Sequence, residues 1–212
     1  MSIEESVKSP EVERKASLEI ALLVVMAALT AATTAFISIP FAPTRGYFNI
    51  GDAMVMFSGL LLGSRLGFLA GGIGSAIADI ILGYSFFAPL TLFIKGLEGL
   101  VAGFGKGKRI PYQVAAVIAA AIVMLVGYFS VELPLFGFGA ALGELIAVNS
   151  LQVTFGAVIS LALVNALRKA YPAVENYPLP KPRTMELAIT AGVSVVILAL
   201  VTAAYAVTGA IA

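Results

Sequence analysis

Two ionisable residues stand inside an otherwise apolar stretch of the sequence, TLFIKGLEGLVAG. Lys95 and Glu98 are three positions apart, so on a helix they share one face and can form an ion pair. An ionised side chain near the middle of a bilayer costs at least about 2.5–3.5 kcal/mol, so it needs a charged partner, a water-filled cavity or a ligand. The candidate partners of Lys95 are Glu98 on the same helix and Asp52, Asp79 and Glu144 on other helices.

Further polar side chains interrupt the apolar segments, and the topology described below places them at a similar depth towards the outer surface. They come from five predicted helices, which one shared polar chamber explains better than separate positions. Because ionisable groups inside a membrane usually serve a function, we interpret the set as a site open to the outside. Its members are Asn49, Asp52, Asp79, Tyr84, Lys95, Glu98, Glu132, Glu144, Asn149 and Gln152.

The composition indicates that the elements carrying these residues are membrane helices. The chain is 60% hydrophobic and 12% charged, with a mean hydropathy of +1.01, whereas soluble domains are about 25% charged. A membrane helix needs about 20 apolar residues, so 212 residues hold about six or seven spans and no separate soluble domain.

The residue types that are missing exclude several kinds of chemistry. The sequence has no Cys and no His, which excludes disulfides, thiolate metal sites, Ser–His pairs and HExxH zinc sites. The segment GFGKGKR lacks the spacing of a phosphate-binding P-loop. We therefore expect a protein that is not an enzyme, with no catalytic residue, no metal site and no cofactor.

Apolar runs predict an all-α membrane protein with seven segments. The predicted segments are residues 17–39, 51–62, 67–82, 90–104, 112–131, 140–167 and 185–211. The second is too short to cross a bilayer alone by the usual count, so we expect it to tilt or to be partly re-entrant. The predicted organisation is an N-terminal tail (1–16), a six-helix membrane domain (17–168), a Pro-rich linker (169–184) and an additional transmembrane helix (185–212).

The distribution of basic residues predicts the orientation of the chain. With a cytoplasmic N-terminus, all of the 13 Lys and Arg residues except Arg45 and Lys95 lie in cytoplasmic segments, as the positive-inside rule requires. The C-terminus is then outside if the seventh segment spans. The loop GKGKRIP is explained by this rule, and a net charge of +1 argues against nucleic acid as a partner.

Small residues recur every four positions in two parts of the chain. Gly59, Gly63, Gly67 and Gly71 form one such series, and this spacing lets helix backbones approach closely within a bundle. In the first helix Ala27, Ala31 and Ala35 form a similar ridge. That ridge either packs inside its own bundle or offers a smooth face to another membrane protein.

The sequence contains four blocks in a specific order: GYFNIGDAMVMFSGLLLGSRLGFLAGGIGSAIADIILGY, APLTLFIKGLEGLVAG, GYFSVE and GELIAVNSLQVTFGAV. Together they resemble the substrate-binding S components of energy-coupling factor (ECF) vitamin transporters, most closely the riboflavin-type group, over residues 17–168. The resemblance implies a six-helix bundle in the plasma membrane that captures a vitamin from outside. It also implies docking through the face of Ala27, Ala31 and Ala35 onto a T component driven by two ABC ATPase subunits.

The resemblance leads to a leading interpretation and two alternatives. The first is a transport subunit that binds riboflavin, a pyridoxine-like compound or a thiamine-pyrimidine precursor beneath a lid formed by PFAPTRGYFNI. Tyr47 and Phe48 of that lid are available to stack on a flat heterocycle, while the chamber residues supply hydrogen bonds. One alternative is a stand-alone proton- or cation-coupled carrier, whose coupling carboxylates would be Asp52, Asp79, Glu98 and Glu144. The other is an assembly scaffold without a small ligand. The predicted ligand-binding residues are Tyr47, Phe48, Asn49, Asp52, Tyr84, Lys95, Glu98, Glu132, Glu144, Asn149 and Gln152.

Overall fold

The computed structural model describes residues 10–173, together with the isolated positions 192, 199 and 203. Within residues 10–173 the chain forms six helices and one short β-hairpin. The helices are α1 (Pro10–Phe36), α2 (Asp52–Leu62), α3 (Ser64–Ile81), α4 (Ala88–Ala102), α5 (Ile110–Phe136) and α6 (Phe138–Ala170). The hairpin strands are β1 (Ile39–Phe41) and β2 (Gly46–Phe48), paired antiparallel. The predicted seventh segment lies outside the described residues.

The prediction of an all-α membrane bundle is confirmed. Five of the described helices are long and apolar enough to cross a membrane, and α2, with 11 residues, is shorter. Most boundaries agree with the predicted segments to within a few residues. The hairpin is the main difference, because α1 ends at Phe36 and the next residues pair as strands. The loop that we predicted as a lid is therefore partly ordered by backbone hydrogen bonds.

Basic side chains complete the end of the short helix α2. Lys106 donates from Nζ to the carbonyl oxygen of Leu62 at 3.2 Å, and Arg168 donates to that of Leu60 at 3.5 Å. The last carbonyl groups of a helix have no partner within the helix and carry partial negative charge, so cations stabilise them. Charges from the segment after α4 and from the end of α6 thus allow α2 to end within the bundle.

Glycines bring α2, α3 and α4 into backbone contact. A Cβ atom at Gly67 would overlap the carbonyl oxygen of Gly99 and the Cα atom of Gly59, and a Cβ atom at Gly99 would overlap the carbonyl oxygen of Gly67. Close approach of this kind is what the four-residue spacing predicts. The contact fixes the position of α4, which carries Lys95 and Glu98, against the other two helices.

Helix α6 contains one π-helical turn, Leu145–Asn149, between two α-helical parts. The hydroxyl of Ser150 donates to the carbonyl oxygen of Leu145, five residues earlier, at 2.6 Å. In a regular α-helix, residues five apart point about 140° away from each other. The wider π turn brings them closer to one face, and such turns are frequent at functional sites. The turn begins directly after Glu144 and ends at Asn149.

Candidate functional site

A buried polar cavity lies beside the hairpin. Its volume is about 30 Å³, which is room for about two water molecules. Side chains from α1, β2 and α3 to α6 reach it. The lining residues are Thr34, Gly46, Tyr47, Asn49, Ser75, Asp79, Phe87, Thr91, Lys95, Tyr128, Glu132, Glu144, Asn149 and Gln152.

Lys95 is the centre of a buried charge network on one side of the cavity. Its ammonium group donates to Asp52 and to Oε2 of Glu98, the latter at 3.0 Å. Both carboxylate side chains are fully buried, so the two ion pairs are shielded from solvent. The ring of Tyr128 lies 5.6 Å from the Lys95 Nζ atom, within the range of a cation–π contact. Lys95 thus pairs with two of its four candidate partners, Asp52 on α2 and Glu98 on α4.

The same network continues to the hairpin through two amide side chains. Gln152 on α6 donates from Nε2 to the Asp52 carboxylate at 3.2 Å. Asn49, the residue after β2, donates to Oε1 of Gln152 from its backbone N–H at 3.0 Å and from Nδ2 at 3.1 Å. Hydrogen bonds therefore connect Lys95 to the end of the hairpin through α2 and α6.

Tyr47 fastens the hairpin to α3 on the opposite side. Its hydroxyl donates to Oδ1 of Asp79 at 2.7 Å, and its ring stacks on that of Tyr84 with centroids 4.7 Å apart. Burial raises the pKa of the Tyr47 hydroxyl well above its usual range, and the charge of Asp79 raises it further. The phenol therefore stays protonated and remains a donor.

Several polar atoms in the lining have no hydrogen-bond partner among the described residues. A buried polar group left unpaired costs about 1–3 kcal/mol, so their concentration in one cavity marks a place for a polar molecule. Every residue concerned is at most 4% exposed. The atoms are Thr34 Oγ1, Ser75 Oγ, Asp79 Oδ2, Glu132 Oε2, Glu144 Oε2 and Asn149 Nδ2.

The structure brings seven of the predicted ligand-binding residues into the lining: Tyr47, Asn49, Lys95, Glu132, Glu144, Asn149 and Gln152. The other predicted residues lie outside it. Asp52 and Glu98 form ion pairs with Lys95, and the ring of Tyr84 stacks on that of Tyr47. The ring of Phe48 packs edge-on against Phe155 at 6.5 Å, away from the lining.

Some lining residues were not among those predicted from the sequence. Ser75, Thr91 and Tyr128 each lie four positions before a predicted residue, respectively Asp79, Lys95 and Glu132. Residues four apart on a helix share a face, so this spacing was a usable signal. Other lining residues, such as Thr34 and Gly46, reach the cavity only through the packing of α1 and the hairpin, and no local pattern marks them.

The alanine ridge of α1 lies at the edge of a helix contact. Ala27, Ala31 and Ala35 are half-buried, while the neighbouring Ala28 and Ala32 are exposed. A Cβ atom at Gly74 would touch the backbone oxygen of Ala27, so α3 packs against one side of the ridge. The docking role of this ridge remains a prediction.

Comparison with known families identifies the class of this protein. The family of S components of ECF-type riboflavin transporters matches residues 15–169, and the chain belongs to that family. It is a multi-pass membrane protein of the class that binds the substrate of a vitamin transporter. Its family and one of its relatives, described below, are transporters rather than enzymes. The resemblance drawn from the four sequence blocks is confirmed.

Two curated proteins are similar to the chain over most of their own length. An uncharacterised protein of Pyrococcus woesei is 40% identical over 139 residues, covering 65% of this chain and 93% of that protein. The thiamine precursor transporter HmpT of Lactococcus lactis subsp. cremoris is 27% identical over 162 residues, covering 72% of this chain and 94% of HmpT.

Proposed function

We propose that this protein captures a small single-ring vitamin precursor of the thiamine-precursor class and hands it to partner subunits for ATP-driven uptake. The observation that carries the proposal is the buried cavity, with its unpaired polar atoms, beside an aromatic hairpin. The similarity to a thiamine precursor transporter supports the same class.

The binding residues fall into three roles in this proposal. Tyr47 closes the cavity, because its hydroxyl and its ring fasten the hairpin to α3 and Tyr84. Four lining residues from three different helices contact the ligand: Lys95, Glu132, Glu144 and Asn149. The remaining predicted polar residues support those contacts: Asp52 and Glu98 hold Lys95, while Asn49 and Gln152 connect it to the hairpin.

The orientation follows from charge. Basic residues lie at the end of the bundle where α2 ends, at Lys106 and Arg168, and the positive-inside rule assigns that end to the cytoplasm. The hairpin lies between the last residue of α1 and the first residue of α2, at the other end of the bundle from Lys106 and Arg168. In this orientation the cavity faces the outside. The N-terminus is then cytoplasmic. The partners in this proposal are a T component and two ABC ATPase subunits.

The test is identification of the bound ligand. Native mass spectrometry of the gently purified protein should show a co-purifying single-ring heterocycle. Calorimetry after its removal should show tight binding of 4-amino-5-hydroxymethyl-2-methylpyrimidine and weak binding of riboflavin. Tight binding of riboflavin with none of the pyrimidine would refute the proposed substrate class. Failure of every vitamin and precursor tested to bind would refute the capture function itself.

The free carboxylate oxygens of Asp79, Glu132 and Glu144 support a second candidate, a proton- or cation-coupled carrier. Such groups can exchange a proton or cation during transport. The two functions separate in uptake assays with intact cells. Collapsing the membrane potential while preserving ATP should leave uptake intact if the chain works with ATPase subunits, and should abolish uptake if it is an ion-coupled carrier.

A further inference from the structure

Carboxylates outnumber cations in and around the cavity. Asp79, Glu132 and Glu144 line it, and among the described lining residues Lys95 is the one cation. Lys95 is already paired with Asp52 and Glu98, two carboxylates outside the lining. Its charge is therefore neutralised before any ligand binds, and the cavity presents an excess of carboxyl groups.

Glu132 and Glu144 are the acceptors best placed to read a ligand. They are 1% and 4% exposed, and the Oε2 atom of each has no hydrogen-bond partner among the described residues. The two carboxyl groups come from different helices, α5 and α6, and both line the cavity, so a donor that reaches both would satisfy two buried acceptors at once.

The amide of Asn149 lies at the same place. Asn149 is 3% exposed and lines the cavity beside the Glu132 carboxyl group, and its Nδ2 atom has no hydrogen bond of regular geometry among the described residues. A ligand there can meet two carboxylate acceptors and one amide donor. That combination matches a heterocycle in which an amino group lies beside an acceptor ring nitrogen.

The hairpin holds Glu144 in position from above. The Glu144 carboxylate packs against Gly46 of β2, and a Cβ atom at that position would overlap Oε1. Glycine at position 46 therefore leaves room for the carboxylate beneath the closed hairpin. The π turn that follows Glu144 allows Glu144 and Asn149 to point into the same cavity.

We infer that Glu132 and Glu144 select a ligand carrying an amino group or a protonated ring nitrogen. This inference rests on the proposed function and names the chemistry that the site recognises. An N–H donor between the two carboxylates forms charge-assisted hydrogen bonds, which are about twice as strong as neutral ones. An analogue without that donor leaves buried acceptors unpaired and is rejected.

The inference is tested with two probes that differ in one group. The first is 4-amino-5-hydroxymethyl-2-methylpyrimidine, and the second carries a methyl group in place of the amino group. Calorimetry on the full-length purified protein should show the amino probe binding about tenfold to a hundredfold more tightly, since each lost bond to a charged group is worth about that factor. Glu132→Gln and Glu144→Gln should each bring this ratio towards one. Glu13→Gln, an exposed position on α1, should leave the ratio unchanged.

The outcomes separate this inference from the proposed function. Equal binding of the two probes to the wild-type protein would overturn the inference and leave the capture function standing. A strong preference for the amino probe that persists in both variants would also overturn it, because residues other than Glu132 and Glu144 would then bind the amino group. If neither probe binds, the proposed substrate class fails and the inference fails with it. Melting temperatures of the variants identify any loss of binding that is caused by unfolding.

Discussion

Replacing Lys95 with Met tests the charge network at the centre of the bundle. The substitution keeps the length of the side chain but removes the cation that both Asp52 and Glu98 share. The contact with Glu98 is 3.0 Å, and at an effective dielectric constant of about 20 the attraction at that distance is about 5 kcal/mol. The desolvation of the three groups offsets part of it. Breaking a buried ion pair on one side costs about 3–5 kcal/mol, because a carboxylate remains unpaired.

The assay is thermal unfolding of the purified protein in detergent, followed by loss of ligand binding. At about 2–4 °C per kcal/mol for a chain of this size, Lys95→Met should lower the melting temperature by about 6–20 °C. Lys108→Met is the matched control, because the side chain of Lys108 is exposed on the loop before α5. A Lys95→Met protein that melts with the wild type would show that the ion pairs do not hold the bundle together.

Compensating substitutions separate the structural role of Lys95 from a ligand contact. Adding Glu98→Gln to Lys95→Met should restore only part of the stability, because Asp52 stays unpaired by a cation. Adding Asp52→Asn as well removes the remaining buried charge and should restore most of it. Lys95 also lines the cavity, so this stable triple variant should still bind ligand at least about tenfold more weakly. Full ligand affinity in the triple variant would confine Lys95 to a structural role.

Four further predictions use other parts of the chain. Gly99→Ala should destabilise the protein by about 3 kcal/mol in thermal unfolding, because a Cβ atom there overlaps the backbone of α3. Gly139→Ala is its control, because a Cβ atom at that position meets open space. Equal melting temperatures of the two variants would contradict the packing. Tyr47→Phe should speed ligand dissociation about tenfold in stopped-flow measurements, because the hydrogen bond to a carboxylate is lost; an unchanged rate would mean that the hairpin does not close the site. Ala31→Leu should reduce co-purification with a T component while ligand affinity stays unchanged, since added bulk separates closely packed helices; normal co-purification would place the docking face elsewhere. Deletion of residues 185–212 should leave ligand affinity within about threefold, as expected for a helix tethered by a stiff Pro-rich linker, and a hundredfold loss would make that segment part of the site.

The membrane class and the number of helices in the described range were predictable from the sequence. Each depends on composition or on spacing along one segment, and hydrophobic burial in a bilayer acts on each segment separately. Three-residue spacing on one helix also made Glu98 a candidate partner of Lys95, because residues at that spacing share a helix face.

Other features of the site depend on contacts between distant segments. The sequence left open whether Lys95 pairs with Glu98 or across helices, and the structure shows it bonded to both Asp52 and Glu98. Phe48, expected to face a ligand, packs against Phe155 instead of lining the cavity, because the pairing of β1 with β2 sets the direction of its side chain. Neither result could be read from a local pattern.

The sequence by itself determined that this is an apolar helical chain with ionisable residues inside its helices, because segment hydropathy and helical periodicity are local properties. Only the tertiary structure decided which of those residues line the cavity and which contact the lining residues from outside it. Glu144 and Asn149 point into one cavity because of a π turn that no composition signal marks. Tyr47 reaches Asp79 across 32 positions of sequence because the glycine contacts of α2, α3 and α4 fix where α3 ends. Packing between helices, rather than the preference of any single segment, therefore sets the chemistry of the site.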